Sequence, residues 1–319
     1  MAGVRYSRLS FADLQGWADD DHRAALDTFA RSFSALSPEW PQIPKVGNAK
    51  DYFTDNLTPV LIEDGQPMLF TGYYEPEFGG SPVQKANHRY PAYAVPDDFQ
   101  ADAPYLTRRE IDRNGALANR GLELAWFADP VDVFFLQVQG SGRVRFADGR
   151  VIRLGFAAKN GHPYTSIGRS LIARGALGKD QVSPETIRNW VMENPDAGRK
   201  LLWQNESYVF FRRIDDVPAS EGPLGALGVS VTAGRSIAVD PDFTPLGAPV
   251  WIEKAGETPM HRLMVAQDTG SAIKGAQRAD IFCGTGDTAG QLAGAINHGG
   301  RMIALLPHHM AHRLCQGAG

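Results

Sequence analysis

The stretch LMVAQDTGSAIKGAQRADIFCG, residues 263–284, decides how the last third of the chain is read. Two short apolar runs, Leu263–Gln267 and Asp280–Cys283, bracket a connection bearing Gly, Ser and Lys. Short runs of β-branched, aromatic and aliphatic residues bounded by turn formers read as strands. The pattern recurs at Ser236–Asp240, Pro249–Glu253 and Met302–Leu306. Close-spaced strands separated by Gly, Pro and Asp indicate a mainly β fold and suggest a barrel.

Upstream, VDVFFLQV at 131–138 is β-branched and aromatic and reads as another strand. Arg143–Phe146 and Val151–Leu154 alternate on either side of Asp148-Gly149, a strong hairpin signal. Helices are expected in three places. Leu26, Phe29, Phe33 and Leu36 form one apolar stripe behind the acidic start Asp19–Asp21. Ser183 and Pro184 suit the N-cap and first position of a second, and Ser166–Leu177 reads as a third. Turn-rich segments near 78–90 and 205–225 suggest boundaries. The expected organisation is therefore a discontinuous domain, 1–80 with 208–319, carrying an inserted β-rich domain at 81–207.

The chain has 319 residues, 43% hydrophobic and 21% charged, which suits a globular protein with a real core. A formal net charge of −4 argues against a nucleic-acid partner, which demands a clustered basic surface. No apolar run approaches the length of a membrane span, and MAGVRYSRLSFADLQGW has no apolar signal core. Two cysteines are too few for a disulfide scaffold: Cys283 reads as an inert buried thiol, and Cys315 lies in a polar tail.

Three acids sit at strand ends in the last third: Asp240, Asp268 and Asp280. Asp240 before Pro and Asp268 before Thr-Gly also read as ordinary turn residues. Asp280 differs, because it lies within the apolar run Ala279–Cys283. Desolvation there raises a carboxyl pKa and keeps the group protonated as a general acid. Lys274 reads either as a sugar or carboxylate contact or as a solvated loop residue. On a strand, Phe135, Gln137 and Gln139 would share one face, an aromatic ring beside amides that suits carbohydrate. FTGYYEP (70–76) is a similar aromatic stretch, and Glu75 there is a second candidate carboxylate or a surface acid. No GxxxxGK[ST], GxGxxG or GxSxG motif occurs where it would matter, so neither a nucleotide site nor a serine-hydrolase elbow is indicated. His308, His309 and His312 read as an exposed or partly ordered tail rather than a metal site.

Six segments together resemble the MltA family of membrane-bound lytic murein transglycosylases. They are FTGYYEP (70–76), FFLQVQGSGRV (134–144), RVIRLGFAAKNGHPYTSIGR (150–169), SYVFF (207–211), AVDPDFTPLGAPVWI (238–252) and QDTGSAIKGAQRADIFCGTGDTAG (267–290). The last resembles the 3D domain, whose three aspartates fall here at Asp240, Asp268 and Asp280. The resemblance implies a double-psi β-barrel with an inserted second β-barrel-like domain, a few helices and a glycan groove. It implies cleavage of the β-1,4 bond between N-acetylmuramic acid and N-acetylglucosamine with a 1,6-anhydromuramoyl product. It places the catalytic aspartate at Asp280 and a supporting one at Asp268. Tyr74, Glu75, Phe135, Gln137, Gln139, Gly140 and Lys274 are the expected substrate contacts. No metal and no cofactor is expected. The expected partners are peptidoglycan glycan strands and other cell-wall enzymes, with a monomeric protein. Such enzymes usually face the periplasm as outer-membrane lipoproteins, so an export signal upstream of this sequence is expected.

Two rivals use the same residues. One is a two-carboxylate hydrolase, with Asp280 as acid and Asp268 or Glu75 as its partner. The other is a non-catalytic peptidoglycan-binding module. An aspartic-protease-like dyad is disfavoured, because the Asp268-Thr-Gly270 signature occurs once.

Overall fold

The computed structural model describes residues 3–45 and 47–316. Two compact units divide the chain: Met1–Tyr74 with Val217–Gly319, and Glu75–Asp216.

The first arm of the discontinuous unit holds β1 (Arg5–Arg8), α1 (His22–Ser32), α2 (Ala49–Asn56), β2 (Leu57–Glu63) and β3 (Leu69–Glu75), which leads into the second unit. Asp21 caps α1 by accepting the Ala24 N–H at 3.0 Å, and Leu26 and Phe29 are buried as the stripe requires. The regular helix stops at Ser32 and a 3-10 turn carries Phe33, so the expected stripe bends before Leu36.

The second unit holds β4 (Glu77–Gly80), β5 (Tyr90–Tyr93), α3 (Arg108–Asn114), β6 (Glu123–Phe127), α4 (Pro130–Gln139), β7 (Ser141–Phe146), β8 (Val151–Lys159), α5 (Ile167–Ala173), α6 (Pro184–Glu193), α7 (Pro195–Leu202) and β9 (Val209–Arg213). One sheet runs β4-β7-β8-β9 and another pairs β5 with β6. The Asp148-Gly149 hairpin forms as read, with Arg143 opposite Arg153 and Gly149 at φ 86°. The helices at Ser166 and Ser183 also form, each capped by its serine.

The expected strand at 131–138 is a helix. Asp129 accepts the Val131 N–H at 2.8 Å, Pro130 takes the first turn, and Gly140 closes α4 at φ 77°. These start and stop signals outweigh the β-branched composition, because α4 is enclosed on most sides. Val131 and Phe134 pack in one cluster, Val133 and Leu136 in another. A helix buried all round loses its polar stripe, and then composition misleads.

The last arm adds β10 (Ser236–Val239), β11 (Pro249–Lys254), β12 (Met260–Thr269), β13 (Arg278–Thr285), α8 (Asp287–Gly294), β14 (Asn297–His298), β15 (Gly300–Pro307) and α9 (His308–Gln316). The five late runs read from the sequence form β10, β11, β12, β13 and β15, with Asp240 falling just past the end of β10. With the first arm they build one sheet in the order β1-β2-β15-β11-β12-β10-β13-β3-β14. Among the described residues no pairing closes this order into a ring, and the protein mixes sheets with several helices rather than adding a few to a barrel. One face of the sheet packs Trp251, Leu263, Val265 and Leu305 against α1 residues Leu26 and Phe29. Another cluster gathers Phe70, Ile237, Met264 and Ile281. The histidine segment, expected as an exposed or partly ordered tail, is the ordered helix α9; its His308, His309 and His312 are exposed as expected, and His308 Nδ1 meets Thr58 Oγ1 at 2.8 Å.

Candidate active site

Asp268 on β12 and Asp280 on β13 flank the same residue of the strand between them. Ala238 of β10 pairs in register with both. Residues opposite one another in a ladder project to the same face, so both carboxyls rise from one side of the sheet with only a methyl between. Their Cα atoms are two strands apart, roughly 10 Å.

A bulge makes this alignment. Ile237 pairs with Ala266 but Ala238 pairs with Asp268, so Gln267 is the extra residue. Its side chain is fully buried, donating to the Thr28 carbonyl at 3.0 Å and to Ser32 Oγ at 2.7 Å. A bulge re-aims the residues beside it, and here it turns Asp268 to the face of Asp280.

The partners of the two acids come from β3. Thr71 Oγ1 donates to Asp280 Oδ1 at 2.6 Å, and Tyr73 Oη donates to Asp268 Oδ2 at 2.9 Å. Thr71 and Tyr73 share a face through the two-residue period of a strand. The intervening Gly72 lies on the other face, where a Cβ would meet the Ala293 Cα of α8 at 2.7 Å. Tyr74 also lies there, its ring against Gly290.

The two environments differ. Asp268 accepts from Tyr73 and from the Ala226 and Thr269 N–H groups, both at 2.9 Å, so both oxygens are engaged as acceptors. Asp280 Oδ1 accepts from Thr71, and among the described residues Oδ2 has no hydrogen-bond partner. Burial pushes the Asp280 carboxyl above its ordinary range, against the Thr71 hydroxyl and the Arg278 charge. Burial also raises Asp268, and the Asp280 charge adds to it, while its three donors oppose the shift. Tyr73 is held well above the usual phenol range by burial and by the Asp268 charge beside it.

Arg278 Nη2 donates to Thr71 Oγ1 at 2.8 Å. A guanidinium only donates, so the single hydroxyl proton of Thr71 is left for Asp280. The chain Arg278–Thr71–Asp280 thus has one direction. None of Thr71, Tyr73 and Arg278 was singled out from the sequence, although the alternation in FTGYYEP was visible.

The other expected site residues scatter. Asp240 accepts the Gly275 N–H at 2.9 Å and Lys274 Nζ at 3.1 Å. Its burial acts upward, but the Gly275 and Lys274 donors leave its carboxyl below the ordinary range. Lys274 is thereby tied to Asp240 with most of its side chain in solvent. Glu75 is not a groove acid: it is fully buried, with Arg153 donating to Oε1 at 2.7 Å and Arg143 to Oε2 at 2.8 Å. The shared face of Phe135, Gln137 and Gln139 disappears with the strand, because residues two apart on a helix diverge. Gln137 is buried beside the Tyr208 hydroxyl, Phe135 packs partly against the Val131–Leu202 cluster, and Gln139 stays half-exposed. Gly140 ends α4 in the left-handed region. Cys283 is half-buried, and burial pushes its thiol up to about 11. Among the described residues no cluster of His, Cys, Asp and Glu is arranged to hold a metal ion.

Two family models match in order: the MltA specific insert domain over residues 69–212 and the 3D domain over residues 235–306. A crystal structure of a membrane-bound lytic murein transglycosylase from Agrobacterium tumefaciens superposes with a TM-score of 0.82 at 34% identity, covering 97% of this chain and 99% of that one. The chain belongs to the MltA family. Membrane-bound lytic murein transglycosylase A of Escherichia coli K12 is 38% identical over 249 residues, 75% of this chain. That match spans 65% of the length of the curated MltA relative. An MltA structure from Escherichia coli with bound chitohexaose superposes with a TM-score of 0.78 at 28% identity, covering 95% of this chain and 94% of that one. The MltA insert domain and the second compact unit occupy nearly the same residues. Among the described residues no helix is long and apolar enough to cross a membrane.

Proposed function

We propose that this protein is a lytic transglycosylase that cleaves the β-1,4 bond between N-acetylmuramic acid and N-acetylglucosamine in peptidoglycan. The observation that carries the reading is the unequal pair, Asp280 with a free, desolvated oxygen and Asp268 with both oxygens engaged. Two carboxyls whose surroundings differ in this way divide the roles of proton donor and fixed charge. The family relatives' names and the chitohexaose complex of a relative support a glycan substrate.

Asp280, protonated on Oδ2, gives its proton to the glycosidic oxygen as the C1–O bond breaks, releasing the N-acetylglucosamine hydroxyl. The resulting carboxylate takes the proton of the muramoyl C6 hydroxyl while O6 bonds to C1, and no water is consumed. An intramolecular nucleophile has a large proximity advantage. Asp268, whose three donors favour its charged form against the effect of burial, stabilises positive charge at the anomeric centre. No metal or cofactor takes part. The discontinuous unit carries the chemistry, on a barrel of the double-psi kind supported by the parallel pairing of β10 with β12. Within the inserted unit, the half-exposed Gln139 at the end of α4 is a candidate sugar contact of its own. Tyr74 and Lys274 are further contacts. The protein acts in the periplasm, where its substrate lies, as a monomer.

Mass spectrometry of products from purified sacculi tests the reading. Anhydromuramoyl ends are the expected outcome. Reducing ends would favour the two-carboxylate hydrolase, and binding without release would favour the non-catalytic module.

A further inference from the structure

The second unit has a concavity of about 1170 Å³ between α3 and the α7 segment, lined mostly by polar side chains. Its charges do not cancel in place. Glu110 is tied into the helix cap, accepting Thr107 N–H at 2.8 Å and Oγ1 at 2.7 Å. Asp196 is paired with Arg199, and Glu206 faces His162 at 3.9 Å. Among the described residues, the side chains of Arg109, Arg113 and Lys200 have neither an ion-pair nor a hydrogen-bond partner.

Arg109 and Arg113 are one helical turn apart on α3, and each guanidinium stands 6.0 Å from the centre of the Trp203 ring. Like charges at this spacing repel. One indole nevertheless holds both heads together, with their N–H donors open to solvent. An oxyanion between them would relieve the repulsion and take charge-assisted hydrogen bonds from two planar forks. One carboxylate in the concavity, Asp112, also has no hydrogen-bond partner. Its side chain is exposed yet crowded by protein, and this desolvation pushes it up to about 6 against the charge of Arg108. Among the described residues, three cations and one acid thus lack both an ion pair and a hydrogen bond, while Glu110 is held only by the helix cap and Glu206 only by a histidine; the unpartnered set suits a ligand with several carboxylates and one amine.

We propose that this concavity binds a short peptide bearing several free carboxylates and a free amine, the chemistry of the stems that branch from peptidoglycan glycans. Arg109, Arg113 and Lys200 take the carboxylates, Asp112 takes the ammonium, and Trp203 supplies an apolar wall. The proposal rests on peptidoglycan as the substrate, but its test needs no turnover.

The probe is a synthetic alanyl-γ-glutamyl-diaminopimelyl-alanine peptide, titrated calorimetrically into the whole protein. Wild type should bind with a Kd on the order of 10⁻⁴–10⁻³ M. Amidating the peptide carboxyls, or the Arg109→Glu/Arg113→Glu double substitution, should weaken binding at least about tenfold. Lys200→Glu tests the same prediction from a different helix. Arg109→Lys/Arg113→Lys should recover part of the affinity. Co-sedimentation with sacculi before and after amidase treatment separates attached stems from released peptide. Absence of binding by wild type at about 10 mM peptide, or equal affinity for the amidated peptide, would overturn the proposal. Because binding is read directly, a protein that binds the peptide but cuts no glycan refutes only the catalytic reading. One that cuts glycan and ignores the peptide refutes only this one.

Discussion

Asp280 and Glu75 are both acids drawn away from water, and their company is opposite. Glu75 meets two guanidiniums, one of them gripping both of its oxygens. Asp280 meets one hydroxyl, with its nearest guanidinium a residue removed behind Thr71. A buried carboxylate paired with two arginines is costly to disturb, because removing it strands their charges. One without a direct counter-ion is inclined to hold its proton and is free to give it away. A search for acids in suggestive motifs treats the two alike; only their partners separate structure from chemistry.

The comparison breaks most sharply at Asp280. Asp280→Asn keeps the size and the Thr71 contact but removes the transferable proton. Loss of a general acid costs roughly 10²–10⁴ in rate, and because the same group serves as base the upper end is expected. Release of anhydromuropeptides from sacculi, with circular dichroism as a folding control, measures it. Near-normal release from a folded variant would move the acid role to Asp268.

At Glu75 the loss should fall on stability instead. Glu75→Ala leaves Arg143 and Arg153 buried without their acid, and breaking such a pair costs about 3–5 kcal/mol. Urea denaturation should show this, while the folded fraction keeps its turnover. A variant of normal stability but no activity would return Glu75 to the site.

Thr71→Val sharpens the account of the relay. The hydroxyl lowers the Asp280 pKa, so its removal should move the pH profile of kcat/KM upward, with roughly tenfold lower activity from lost orientation. Thr71→Ser should restore both. A profile that stays put would show that Thr71 only packs.

The smallest effect is in pH-dependent stability. With its pKa raised on folding, native Asp280 keeps its proton after the unfolded chain, near pH 3.8, has begun to release it. Stability from this group is therefore full below that pH and lost as pH climbs through the native value. Asp280→Asn should consequently raise Tm at pH 8 and leave it unchanged at pH 3. A lowered Tm at pH 8 would mean that the carboxylate is stabilised in the fold.

The late strands were legible because alternation and turn residues are local signals, and Asp280 stood out as a charge inside such a run. Its surroundings were not legible. Thr71 lies 209 residues from Asp280, and Tyr73 lies 195 from Asp268. No spacing within either segment foretells that pairing. Residues 131–138 failed for a different reason: strand-like composition hid the Asp129-Pro130 start and the Gly140 stop. That error carried Gln137 to a sugar-facing surface, when it is buried beside Tyr208. Glu75 could be noticed in its motif, but the arginines that explain it come from β7 and β8.

The division of the sheet between two arms also sets a clock. The inserted unit is one continuous stretch, Glu75–Asp216, and has all it needs to fold as a unit once that stretch is available. The sheet that holds the acids does not, because β3 must wait for β10 to β15. At about 5–20 residues per second, the 209 residues from Thr71 to Asp280 take roughly 10–40 s to make. During that interval the chain carries Thr71 and Tyr73 but not yet Asp280. A chain broken off before residue 280 lacks the acid altogether, so under the proposed function it could not cleave glycan.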